Sequence, residues 1–165
     1  MPTTPTPEQG IIDGRVHRLP LRVYYEDTDA GGIVYHAGYL RFAERARTEL
    51  LRCLGFDHMA LRARSGLAFA VRRCVADFLA PAQLDQRLVV ETRLVRLRRA
   101  SLDLEQRVVA PDGRLLVRLA VRLALMSGAL RPARLPAALR AAFAELADTE
   151  APAPGAAGHD PWQAN

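Results

Sequence analysis

The change of hydrophobic period at Gly55 constrains this chain more than any other feature of it. Before that glycine, Tyr39, Phe42, Ala43, Ala46, Leu50 and Leu54 recur at helical spacing, with Arg41, Glu44, Arg45, Glu49 and Arg52 opposite them. The spacing predicts one amphipathic helix of about four turns, ended by Gly55. Beyond it the apolar residues alternate singly, the period of strands with one buried face. Leu67, Phe69 and Val71 form one such run. Arg87 to Arg99 forms a second, whose alternation slips at Leu94–Val95 as it would at a bulge. Leu102, Leu104 and Val108 mark a third, closed by the turn Pro111-Asp112-Gly113. Leu115, Val117, Leu119, Val121, Leu123 and Leu125 give the clearest alternation in the chain. Upstream, His17, Leu19, Leu21, Val23 and Tyr25 alternate with Arg18, Pro20, Arg22 and Tyr24, so a further strand begins near Pro20. Pro136 opens a short last helix through Leu139, Phe143 and Leu146. The order strand, helix, four strands, helix implies an α+β domain: an antiparallel sheet of about five strands with one long helix on one face.

At 165 residues there is room for one domain only. Residues 1–14 are rich in Pro, Thr and Gly and read as a flexible lead-in; 15–147 carry the domain. Residues 148–165 form a Pro/Ala/Gly tail, with Trp162 in it, that lacks the apolar content to order itself. Cys53 and Cys74 sit among apolar neighbours with no CxxC pair, which points to buried free thiols in a reducing compartment. The N-terminus shows neither a basic nor an apolar region of a signal peptide, and no apolar run approaches the ~20 residues that cross a bilayer. A cytoplasmic protein is expected, at most peripheral to the inner membrane. The net charge is +5, and all 23 basic residues are Arg. Beside so much Ala and Leu, this reads as the coding bias of a GC-rich genome rather than as a designed binding surface. A basic balance still favours anionic partners. Nucleic acid is disfavoured, because aromatic residues make up only 6% of the chain and form no interleaved basic–aromatic stripe.

The chemistry concentrates in Tyr24–Tyr39, where Glu26, Asp27, Asp29 and His36 surround the pair Gly31-Gly32 between a strand and the main helix. Carboxylates in such a loop lie near free backbone N–H groups and the positive end of the helix dipole. An ionised Asp there can attack or activate water while the N–H groups receive charge from a carbonyl oxygen. The glycines let backbone approach a substrate closely. Local chemistry alone leaves an ordinary Asp-rich turn equally open. A calcium loop is excluded, because Asp27, Asp29 and Gly32 fit its first, third and sixth positions but the twelfth is Gly38 instead of Glu. No Gly-Lys-Ser/Thr follows the glycines, which excludes a phosphate loop. His17, His36, His58 and His159 show no metal-ligand spacing.

The run Val23 to Tyr39, continuing through Phe42-Ala43-Glu44-Arg45-Ala46-Arg47-Thr48-Glu49, closely resembles the 4-hydroxybenzoyl-CoA thioesterase family, in its YbgC-type branch associated with the Tol–Pal system. The segment Phe78-Leu79-Ala80-Pro81-Ala82-Gln83-Leu84-Asp85 extends the resemblance, which covers Leu21 to Phe143. It implies the hot-dog fold, an antiparallel sheet wrapped around one long helix, assembled as a dimer or tetramer with active sites between subunits. It implies hydrolysis of an acyl-CoA, or of an acyl carrier protein thioester, to free acid and thiol, with no metal or cofactor. By the same resemblance Asp29 is the catalytic carboxylate, as nucleophile or as general base. His36 supplies a backbone N–H to the thioester carbonyl. Gly31, Gly32, Val34 and Tyr35 line the substrate, and Arg98 and Arg99, with Arg131 and Arg134 behind them, are candidates for the CoA phosphates. Asp27 and Glu26 read as groups that hold the loop. Two other readings compete. A dehydratase or hydratase of the same fold lacks its His-Phe-Pro-type signature here, and a non-catalytic module could bind acyl carrier protein or Tol–Pal-associated partners.

Overall fold

The long helix α1 (His36–Cys53) stops where glycine lets the chain turn left-handed. Gly55 has φ 85°, its N–H donates to the Arg52 carbonyl (2.9 Å), and the Phe56 N–H donates to Leu51 (3.0 Å). Two otherwise orphaned carbonyls are thereby satisfied. At its other end α1 starts at His36, earlier than the apolar spacing indicates. The computed structural model describes residues 8–147; the expected tail from 148, with Trp162, lies outside the described residues.

The sheet is antiparallel and six-stranded, in the order β1-β2-β4-β5-β6-β3. Its strands are β1 (Ile11–Asp13), β2 (Val16–Arg22), β3 (Ala68–Phe78), β4 (Arg87–Leu97), β5 (Ser101–Val109) and β6 (Leu115–Met126). Tyr39, Phe42, Ala43, Ala46, Leu50 and Leu51 form the buried stripe of α1. Ala43 and Ala46 have no exposed surface, so the backbone of the helix comes close to the sheet. Facing them are Leu88, Val90 and Leu94 of β4, Leu102 and Leu104 of β5, and Leu119 and Val121 of β6. Truncating Phe42, 1% exposed, to Ala would cost about 3–5 kcal/mol by the usual cavity penalty. The buried polar residue Gln106 sits in this core fully bonded: its amide donates to the Ala43 carbonyl (2.9 Å) and to Oγ1 of the equally buried Thr92 (3.0 Å), and accepts from Arg47 (2.7 Å). The bulge anticipated in β4 lies between Leu94 and Arg96, and Gly113 (φ 84°) closes the β5–β6 turn.

Four expectations need correction. The sheet has six strands, because β1 forms from residues that the composition assigns to the lead-in. Gly10 makes this possible: at φ 70° it packs so closely on the Arg18 carbonyl that a β-carbon would lie 2.3 Å from its oxygen. A second helix, α2 (His58–Ser65), stands where only strands are expected after α1, capped by the Asp57 side chain accepting from the Ala60 N–H (2.7 Å) and ended by Gly66. The first long strand ends at Arg22, and Tyr25–Asp27 is a single 3-10 turn. The thiols are free but not both buried: Cys53 is half-buried and Cys74 exposed. The last helix, α3 (Ala137–Ala144), begins after Pro136 and buries Leu139 and Phe143.

Candidate active site

The Asp-rich segment is a tight loop pinned at both ends. Asp27 holds its first half: the buried carboxylate accepts from the Tyr24 N–H (2.8 Å), and its carbonyl accepts from the Tyr35 N–H (2.9 Å). Glu26 is exposed. In the second half the Asp29 N–H donates to the Ile33 carbonyl (2.9 Å), and the Gly32 N–H returns a bond to the Asp29 carbonyl (3.0 Å). Gly32 sits at φ 76°, a conformation that a β-carbon strains. The Asp29 side chain is exposed, and its Oδ1 accepts from the Gly31 N–H (2.8 Å), which fixes the direction of the carboxylate.

This loop delivers the chain into the start of α1. His36 is the first helical residue, preceded by Tyr35, which gives no side-chain cap. The Gly38 N–H bonds to the Tyr35 carbonyl (2.7 Å), whereas the N–H groups of His36 and Ala37 find no acceptor among the described residues. These are free donors at the positive end of a five-turn helix. A second segment closes the site. The Ala82 N–H donates to the Tyr39 hydroxyl (2.9 Å), and its carbonyl accepts from the Val34 N–H (2.9 Å), so the run after β3 is clamped against the loop and the helix. Burial pushes the Tyr39 phenol above its ordinary pKa, which keeps it a neutral hydrogen-bonding clamp.

Together these elements enclose a cleft of about 430 Å³. Asp29 and His36 stand on one side, Val34 and Tyr39 beneath, and Phe78, Leu79 and Pro81 form the wall. The His36 ring lies 4.3 Å from that of Tyr35 and 6.2 Å from that of Phe78, centroid to centroid. A mostly apolar cleft with one carboxylate, beside a helix start whose first N–H groups are free, suits a neutral electrophile whose carbonyl oxygen gains negative charge during reaction. The wall from Phe78 to Pro81 and the clamp Tyr39 were not among the site residues expected from sequence, although the Phe78–Asp85 motif signalled the segment.

Asp29, Gly31, Gly32, Val34, Tyr35 and His36 thus gather in one loop and helix start, with Asp29, Val34 and His36 lining the cleft itself. Arg98 and Arg99 do not join them within one chain. They follow the far end of β4, whose eleven residues span about 35 Å at the usual rise per residue, while its first end lies beside the loop. Arg98 pairs there with the fully buried Asp103 (2.7 Å), which Arg122 also holds (2.7 and 3.1 Å). Arg99 is exposed, and its carbonyl accepts from Leu135 (2.8 Å), which brings the segment of Arg131 and Arg134 to the same end. Among the described residues no group of three or more His, Cys, Asp or Glu could hold a metal, and no helix is long and apolar enough to cross a membrane.

One long helix cradled by a curved antiparallel sheet, with a carboxylate loop at the helix start, defines a hot-dog protein. Residues 23–143 match the model of the thioesterase-like superfamily. The chain is similar to the acyl-CoA thioester hydrolase YbgC of Escherichia coli O6:H1, 50% identical over 99 residues that cover 60% of this chain and 73% of that one. It is equally similar to the acyl-CoA thioesterase YbgC of Haemophilus influenzae, 50% identical over 91 residues covering 55% and 67% of the two chains. Among solved structures, a probable thioesterase from Bartonella henselae superposes with a TM-score of 0.70 at 40% identity, covering 73% of this chain and 99% of the other. The chain belongs to the thioesterase-like superfamily, within it to the YbgC-type hot-dog thioesterases.

Proposed function

We propose that this protein hydrolyses acyl-CoA thioesters to a free acid and coenzyme A, with Asp29 as the catalytic carboxylate. The observation that carries this reading is that Asp29 and His36, the first residue of α1, line one mostly apolar cleft, while the N–H groups of His36 and Ala37 have no acceptor among the described residues. A thioester carbonyl seated against those donors would place developing negative charge on oxygen at the positive end of α1. The carboxylate then delivers the nucleophile. It adds to the carbonyl carbon itself, giving an anhydride that water opens, or it takes a proton from the water that adds. In both cases the C–S bond breaks and the thiolate leaves, and no metal is required. Single turnover in oxygen-18 water tests the first route: water that opens the anhydride at the Asp29 carbonyl leaves label in Asp29, which the second route never does.

The wider assembly follows from the same reading. The edge strand β3 is eleven residues long and leaves Val71, Phe78 and the adjoining Leu79 about half exposed, a surface that a second copy would cover. Arg98 and Arg99 stand too far from Asp29 to hold the CoA phosphates of their own site, so they serve a site only from another copy in a dimer or tetramer. An acyl carrier protein would present the same thioester arm without the nucleotide. The test is release of free thiol from a panel of acyl-CoAs and acyl carrier protein thioesters, by the wild type and by Asp29→Asn. Release from none of the panel by the wild type would overturn the reading.

A further inference from the structure

A second cavity, of about 90 Å³, lies between the C-terminal half of α1, β3, β5 and α3, away from the Asp29 cleft. Its walls are Leu50 and Leu51 of α1, Leu102 and Leu104 of β5, Phe69 of β3 and Phe143 of α3. Into this apolar space comes one cation, Arg47. The Gln106 amide is locked by its bonds to Ala43 and Thr92, so its oxygen must face Arg47, and it accepts one N–H there at 2.7 Å. Among the described residues that neutral acceptor is the only side-chain hydrogen-bond partner of Arg47, which makes no ion pair there.

The neighbouring groups Glu44 and Cys74 favour its charge through space, without an ion pair. Glu44, three residues earlier on α1, lines the same cavity, but its carboxylate is exposed and bonded by Thr48 (2.8 Å). Thr48 also meets His58 Nε2 (3.2 Å), so the rim is a closed polar chain of its own. Burial of Arg47 disfavours its charged form by more than Glu44 and Cys74 favour it. A guanidinium removed from water without a carboxylate is costly, and its remaining N–H groups form a planar fork that fits a carboxylate.

We propose that this cavity is a binding site for a small organic monocarboxylate, its apolar body between α1 and β5 and its carboxylate on Arg47. Thioester hydrolysis releases molecules of that chemical class, so the site rests on the proposed function for its natural supply of ligand, though not for binding. The Asp29 cleft takes the neutral thioester; the Arg47 cavity takes the anion.

Calorimetric titration of the full chain with hexanoate tests this. The wild type should bind hexanoate at least about tenfold more tightly than hexanol or hexylamine, which share the chain and lack the negative charge. Arg47→Gln should lose about tenfold in hexanoate affinity. Asp29→Asn should leave hexanoate affinity unchanged. Equal affinity for hexanoate and hexanol in the wild type would overturn the proposal, as would the absence of saturable hexanoate binding. A hexanoate affinity that follows Asp29 instead of Arg47 would assign the anion to the cleft and overturn it equally. Thiol release by the wild type is measured separately, so loss of the carboxylate site and loss of the thioesterase reading are told apart.

Discussion

A β-carbon on Gly31 would lie 3.1 Å from Asp29 Oδ1, the oxygen that the Gly31 N–H already holds at 2.8 Å. Position 31 is therefore glycine because the carboxylate leans on it, and the backbone angle there makes no demand. Gly31→Ala should push the carboxylate aside by a few tenths of an ångström. The expected result is a fall in kcat of about tenfold, equivalent to ~1.4 kcal/mol of barrier, with little change in thermal midpoint. Unchanged initial rates would show that the placement of Asp29 does not limit turnover.

Asp29→Asn and His36→Ala should separate charge from position. The first keeps shape and hydrogen bonding at Asp29 and deletes the negative charge, so thiol release should drop by about 100-fold or more. The second removes an imidazole but leaves the N–H that begins α1, and the loss should be about tenfold or less. An Asp29→Asn enzyme within tenfold of wild type sinks the assignment. Equal losses for the two variants would make the His36 ring a chemical participant.

Light scattering at working concentration should find a dimer or a tetramer and no active monomer. Arg99 tests whether that assembly matters to substrate binding, since its side chain is exposed and makes no hydrogen bond or ion pair among the described residues. Arg99→Ala should raise KM for acyl-CoA several-fold at constant kcat and leave an acyl-pantetheine substrate untouched. Arg98 is a poorer probe, because removing it takes one of two counter-ions from buried Asp103. Equal KM values for Arg99→Ala and wild type on acyl-CoA would remove this residue from the site.

Most of the architecture was legible because strong periods report burial directly: the stripe of α1, the alternation of β6 and the slipped register of β4 all stand where the pattern puts them. The start of α1 was missed by three residues because Tyr35 gives no side-chain cap and Ala37 and Gly38 add nothing to the apolar spacing. Helix α2 buries only Leu61, too little for a periodic signal, although Asp57 and Gly66 flank it as cap and stop. β1 depends on tertiary contact, with Gly10 against the Arg18 carbonyl, and no local pattern announces that. The site loop was readable from Asp29 to His36 because its chemistry is contiguous. Its far wall, Phe78–Pro81, and the distance to Arg98 follow from strand order, which alternation does not encode.

His17 gives the protein a pH dependence of its own. The ring is completely buried; Nε2 bonds to the Gln9 carbonyl at 2.7 Å, and Nδ1 has no partner among the described residues. It faces Thr92 across the β2–β4 ladder, and the charge of Glu49 on α1 acts on it through space. Burial lowers its pKa below the ordinary 6.5, against the raising effects of the Gln9 carbonyl and Glu49. The unfolded chain therefore takes up a proton as pH falls through 6.5 while the folded chain does not, and the unfolded state gains. The contribution of this group is whole above 6.5. It declines below that by up to about 1.4 kcal/mol per pH unit, until the folded state also protonates. Urea unfolding of wild type and His17→Gln at pH 7.5 and 5.0 isolates the effect, since carboxylate titrations elsewhere are shared. The wild type should lose more stability than the variant between these two pH values. Parallel losses would mean that His17 takes up its proton inside the fold as readily as outside it.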